Sequence, residues 1–160
     1  MKVFKEQQRF TQWWIWLPLI SLLLLFIYGA IQQLFFGIPY GDKPMSNLGI
    51  ILFSLFFFLF VLFFRLLTLK VNIDEKGISY KFSPLHRSDT FIDWKNILTV
   101  SIITFKPILD VGGWGIKHGS YTVKGNIGIK LSLKNGEQVI IGTQKKAEAT
   151  QILNTYINKI

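Results

Sequence analysis

The chain has 160 residues and a formal net charge of +9; half of its residues are hydrophobic, 16% are aromatic and only 17% are charged, against about a quarter charged in an average soluble domain. This composition excludes a disordered or acidic tail-like protein, which needs low hydrophobicity and dense charge. The absence of cysteine excludes a disulfide framework, a thiolate nucleophile and a cysteine-based zinc site.

Most of the phenylalanines fall in the first 64 residues, where two apolar stretches stand out. No charged side chain lies between Arg9 and Asp42, and a helix from Trp13 to Phe36 would extend about 36 Å, enough for a hydrocarbon core of about 30 Å. Trp13, Trp14 and Trp16 suit the headgroup level, where an indole buries its rings and still donates its N–H. Pro18 falls in the first helical turns, and Gln32 and Gln33 mark the far interface. A cleaved signal peptide is the weaker alternative, because the run exceeds the usual h-region of about 7 to 15 residues.

The segment 37–44, Gly-Ile-Pro-Tyr-Gly-Asp-Lys-Pro, is rich in turn formers. A second span follows, over about 46–67, apolar on every face and dense in phenylalanine. The two spans are expected to form an antiparallel hairpin. A pair of buried core helices is disfavoured, since fewer than one hundred residues remain to cover them. Lys2, Lys5 and Arg9 precede the first span, Lys43 alone sits in the connector, and Arg65 and Lys70 follow the second. The positive-inside rule then places both chain termini in the cytoplasm, giving a multi-pass protein of the plasma (inner) membrane. The expected division is 1–68 for the hairpin and 69–160 for a cytosolic domain.

From Leu69 onward the apolar residues alternate with period two, as in half-buried strands. Val71 and Ile73 precede Asp74-Glu75-Lys76-Gly77, a hairpin loop in which Gly77 is expected to supply positive φ. Ile78, Tyr80 and Phe82 form the returning strand; shorter strands are expected over 90–94 and 97–106. Ile127, Ile129, Leu131 and Leu133 alternate up to Asn135-Gly136, a strong hairpin signal, and Val139 and Ile141 continue beyond it. Thr143 is the expected N-cap of a helix over 144–158 whose apolar face carries Ala149, Ile152, Leu153, Tyr156, Ile157 and Ile160. The fold class is therefore an α+β membrane protein, with a small barrel or sandwich of about seven antiparallel strands capped by a C-terminal helix. No βαβ alternation supports a doubly wound nucleotide-binding fold.

The run from Asp110 through Gly112, Gly113, Trp114, Gly115, Ile116 and Lys117, then Tyr121, then 125–131 and 141–144, resembles a group of uncharacterised bacterial membrane proteins with pleckstrin-homology-like domains. Asp93-Trp94-Lys95-Asn96-Ile97 is similar to a strand junction common in that fold. The resemblance implies a seven-stranded bent barrel with a C-terminal helix and no particular reaction. Lys146 stands where relatives often carry Pro. Phosphoinositide recognition at the first hairpin loop does not carry over, because Asp74 and Glu75 there oppose a polyphosphate.

Gly112, Gly113 and Gly115 fit neither phosphate-binding glycine pattern and are expected to form a structural loop under Trp114. Trp114, Lys117, His118 and Tyr121 combine aromatic and basic groups of the kind enriched where partners bind, so they are the candidate contact for a protein partner. His86 and His118 lack the companions a metal site needs. Asp89, Asp93 and Asp110 read as turn or strand-end residues, and no serine sits in a nucleophile elbow. The sequence thus points away from an enzyme, a metal or a cofactor.

From Leu69 the chain holds thirteen basic and seven acidic side chains. The lysines alternate along strands and do not concentrate as in a nucleic-acid binder; attraction to an anionic inner leaflet is the simpler role. The expected partners are therefore the bilayer and a protein. The expected function is a membrane-anchored interaction or scaffold module, with an accessory subunit of a transporter, docking through the Phe-rich second helix, as the alternative.

Overall fold

The computed structural model describes residues 3–117 and 119–159. Lys2, His118 and Ile160, which the sequence analysis invoked, lie outside the described residues. The chain forms two compact units, one over 11–66 and the other combining the stretch up to Phe10 with everything from Leu67 onward.

The first unit holds two helices, α1 (Trp13–Phe35) and α2 (Asn47–Leu66), within a residue of the expected spans. They pack antiparallel: Phe26 of α1 stacks on Phe53 and Phe57 of α2, with ring centroids 5.5 and 4.9 Å apart. Near the turn the Gln33 amide Nε2 donates to the Met45 carbonyl at 2.7 Å and to Asn47 Oδ1 at 2.8 Å. Gln33 thus closes the hairpin. The ring of Tyr40 lies against Gly29, where a side chain would collide with it. Ser54 Oγ donates to the Ile50 carbonyl at 2.7 Å and to the Phe26 carbonyl at 3.1 Å, so a hydroxyl inside an apolar pair is satisfied locally. Apart from Gly29 and Ile50, no residue of these helices is buried, which is the opposite of a soluble protein's core helices. Both are long and apolar enough to cross a membrane.

The second unit contains two sheets. Strands β1 (Phe4–Arg9), β2 (Thr68–Ile73), β3 (Gly77–Ser83) and β4 (Thr90–Asp93) form one antiparallel sheet in that order. The other has the order β5-β8-β9-β7-β6, from β5 (Ile97–Thr104), β6 (Gly115–Lys117), β7 (Ser120–Thr122), β8 (Ile127–Leu133) and β9 (Gln138–Gly142). A short helix α3 (Pro107–Val111) follows β5, and α4 (Lys146–Tyr156) follows β9. The period-two pattern is realised in the buried row of Leu69, Val71 and Ile73, Ile78, Tyr80 and Phe82, and Ile129, Leu131 and Ile141. Ala149, Ile152, Leu153 and Tyr156 of α4 are buried as well.

Several expectations are corrected. The barrel is not closed: β4 has only four residues, and a 3-10 turn at Trp94–Asn96 redirects the chain into the second sheet, so β4 and β5 do not pair. Nine strands are found among the described residues, not seven, and β7 runs parallel to β9. The described residues up to Phe10 do not belong with the hairpin. Phe4–Arg9 pairs with β2 from Phe4↔Ile73 to Arg9↔Thr68, so the two apolar helices are inserted between two neighbouring strands.

Thr143 is not the N-cap of α4. Its hydroxyl oxygen accepts the Lys145 N–H at 3.1 Å in a turn, and the helix starts at Lys146. The C-terminal end tightens into a 3-10 turn at Ile157–Lys159, which leaves Ile157 exposed instead of on the apolar face. Gly77 does not have positive φ. A Cβ there would strike the Ile92 carbonyl across the β3–β4 ladder, so close approach, not turn geometry, requires the glycine. In the same hairpin Asp74 Oδ1 accepts the Lys76 and Gly77 N–H groups at 2.8 and 3.2 Å. That Asx turn reverses the chain.

Candidate functional site

The segment between β5 and β8 carries the residues that sequence analysis singled out. Pro107 opens α3, Asp110 Oδ2 accepts the Lys106 N–H at 2.7 Å, and Gly112 ends the helix in the left-handed region with φ of 68°. Gly113 and Gly115 follow with φ of 113° and 121°, so this run needs glycine for its backbone path. The Trp114 indole N–H donates to the Gly125 carbonyl at 3.0 Å, which clasps the segment onto the start of β8. Lys117 is exposed, and its ammonium reaches back to the Gly112 carbonyl at 3.3 Å.

Tyr121 has a different environment. Its ring lies 4.5 Å from Tyr80 and 5.6 Å from His86, bridging the second sheet to the first. Tyr80 is buried, and desolvation, reinforced by a hydrogen bond with Tyr121, pushes its hydroxyl well above the usual tyrosine range. That phenol remains neutral throughout the physiological range. The β6–β7 register pairs Lys117 with Ser120 and Ile116 with Tyr121, so Lys117 and Tyr121 point to opposite faces. The structure therefore clusters Tyr121 with Tyr80 and His86, and Lys117 with the glycine loop; it does not gather the expected patch on one surface. His118 lies outside the described residues.

Trp13 and Trp14 are exposed at the start of α1 with their rings 6.1 Å apart, edge to face, while Trp16 is half-buried. Among the described residues no group of three His, Asp or Glu side chains is placed to hold a metal.

A polar cluster that sequence analysis missed lies on the inner face of β1. Glu6 is only 7% exposed; its carboxylate accepts the Thr143 hydroxyl at 2.7 Å and the Gln144 N–H at 2.8 Å. Beside it the Gln8 amide donates to the Gly142 carbonyl at 2.6 Å. These bonds tie the first sheet to the end of β9 and the approach to α4. Their role is structural, because every oxygen of the carboxylate is engaged by the fold. Glu6→Ala is expected to lower the unfolding free energy by about 1–3 kcal/mol, since it leaves a buried hydroxyl and a backbone N–H without their acceptor. Urea unfolding of the full chain in detergent micelles checks this, and amide exchange at 146–149 should accelerate in the same variant. An unchanged midpoint would mean that the clamp adds no stability.

The chain thus consists of a pair of apolar helices, inserted in chain order between two strands, and a two-sheet β-unit whose loop contacts and buried polar groups serve the fold. The chain belongs to a family described as a family of unknown function (DUF6141), which it matches over residues 2–159. No curated protein matches it.

Proposed function

We propose that this protein is a membrane-anchored, pleckstrin-homology-like interaction module at the cytosolic face of the bacterial inner membrane. The observation that carries this is the uncovered apolar surface of α1 and α2. Exposed side chains such as Leu17, Leu24, Phe53, Phe56 and Phe58 far exceed what a water-soluble surface tolerates. Lipid is the solvent that such a surface fits, with Trp13 and Trp14 at the headgroup level. Basic flanks at Lys5, Arg9, Arg65 and Lys70 favour cytoplasmic ends, with Lys43 outside.

The pleckstrin-homology likeness is supported by strand order. With β6 and β7 set aside as an insertion between β5 and β8, seven strands remain, four in one sheet and three in the other, followed by a helix. A protein partner is recruited through the 114–121 segment, with Lys117 as its exposed contact. No reaction is part of this function.

The protein should remain in the membrane fraction after alkaline carbonate extraction, and a cysteine at Lys43 should react with an impermeant maleimide added to intact cells. Release into the aqueous phase, or labelling of position 43 only after lysis, would sink the proposal. A crosslinker at position 117 in native membranes should capture a discrete protein.

A second reading, an accessory subunit of a transporter, is favoured by the phenylalanines of α2 that are left exposed, among them Phe56 and Phe58. Exchanging α2 for an unrelated apolar helix should abolish co-purification of the larger complex in that case alone.

A further inference from the structure

Strand direction gives the β-unit two unlike ends. At one end β1 finishes at Arg9, β2 starts at Thr68, β3 passes into the 84–89 loop, and β5 passes into α3. Gln8 bonded to Gly142 ties the two sheets at this end. At the other end lie the Asp74 hairpin, the Trp94 turn and the Asn135 hairpin, tied by Trp94 Nε1 to the Asp74 carbonyl at 2.9 Å and Lys134 N to the Asn96 carbonyl at 2.9 Å.

Charge separates the two ends. The first carries Arg9, Arg87, Lys106 and Lys124 against two carboxylates, Asp89 and Asp110. The second has Lys5, Lys76, Lys95 and Lys134 against four carboxylates, namely Asp74, Glu75, Asp93 and Glu137. The basic end also bears the two most exposed large apolar side chains among the described residues of the β-unit, Ile108 at 72% and Leu109 at 77%, side by side on α3. They are held outward because Val111 is buried and Pro107 and Gly112 fix the helix ends. Leu85, in the neighbouring loop, is exposed as well.

We infer that this basic, apolar-tipped end docks on an anionic phospholipid surface, with Ile108 and Leu109 entering the headgroup layer and Arg87 and Lys106 pairing with lipid phosphates. A protein groove fits the tip less well: helix-in-groove recognition needs anchors at i, i+3, i+4 and i+7, and α3 has five residues with two adjacent apolar ones. A lipid surface needs only a projecting apolar tip with cations around it, each gaining attraction within a Debye length. The inference rests on the reading that α1 and α2 lie in lipid, which brings a bilayer within reach.

The chain has no cysteine, so Leu109→Cys gives a single site for an environment-sensitive fluorophore. The full chain is placed in nanodiscs of phosphatidylcholine alone or mixed with phosphatidylglycerol, each containing lipids that carry a nitroxide at shallow depth. The fluorophore at 109 should be quenched in the phosphatidylglycerol discs, less in the neutral ones, and less again at high salt. A fluorophore on Asn135→Cys, at the opposite end, should escape quenching in both. Adding Arg87→Gln and Lys106→Gln should lower the docked-to-undocked ratio roughly thirtyfold without moving the thermal midpoint.

Equal, weak quenching at 109 and 135 in both discs would overturn the inference. So would a probe at 109 that responds only when native membrane proteins are added, since that would make the tip a protein-docking site. A fluorophore on Leu55→Cys separates the two levels of failure. If nitroxides deep in the acyl chains quench position 55 while 109 stays unquenched, only this inference fails; if 55 is also unquenched, the membrane reading fails with it.

Discussion

Replacing Trp94 by Ala is expected to lower the unfolding free energy of the β-unit by about 3–5 kcal/mol, the range for deleting a large aromatic side chain from a close-packed core. Trp94 is 2% exposed and occupies the turn where the chain leaves one sheet for the other. Its ring lies 5.8 Å from that of Tyr156, which binds α4 to the sheets, and its indole N–H holds the Asp74 carbonyl of the first hairpin. Three elements converge on one side chain, and the cavity left by Ala would open at their meeting point. Trp94→Phe should cost less, because it keeps most of the packing and loses the hydrogen bond. Urea titration followed by circular dichroism in detergent micelles distinguishes the two variants. If Ala and Phe shift the midpoint equally, the hydrogen bond and not the ring holds the junction.

What the sequence makes legible, and what it hides, follows from how each element buries its residues. The two apolar helices announce themselves because no polar face interrupts their run. The strands around Val71, Ile78 and Ile129 are legible because one face of each is packed and the other is wet. β1 is hidden for the opposite reason. Its inward row is Phe4, Glu6 and Gln8, of which only the first is apolar, and its partner β2 lies beyond both helices. Hydrophobic periodicity cannot register a strand whose buried face is held by a carboxylate and an amide.

The three-residue strands β6 and β7 and the five-residue α3 are too short to leave a period. Consequently the residues between Asp110 and Tyr121 can be recognised as unusual from their glycines and aromatics, but not assigned to faces. Strand alternation alone separates Lys117 from Tyr121, and it becomes visible only once the pairing of Ile116 with Tyr121 is known. Ile108 and Leu109 show the same limit: within the sequence they resemble any other apolar pair, and only the buried neighbour Val111 establishes that they point outward.

Gly77→Ala is expected to destabilise the β-unit by at least about 3 kcal/mol, the upper range for forcing extra volume into a packed site. The cause is a backbone neighbour. An added Cβ would meet the Ile92 carbonyl oxygen and the ring edge of Phe91, and the carbonyl cannot move without parting β3 from β4 at the Ile78↔Ile92 rung. Strain of this kind is relieved only by losing the short edge strand, which would uncover Ile78 and Ile92, both buried. Gly113→Ala provides the contrast. That position has φ of 113° but open space around it, so the substitution should cost about 1–2 kcal/mol in backbone strain and leave every strand paired. Amide exchange resolves the two mechanisms residue by residue: the Gly77 variant should lose protection along 77–80 and 90–93, and the Gly113 variant only within its own loop. Retained protection along β4 in Gly77→Ala would show that the β3–β4 approach is looser than the ladder implies.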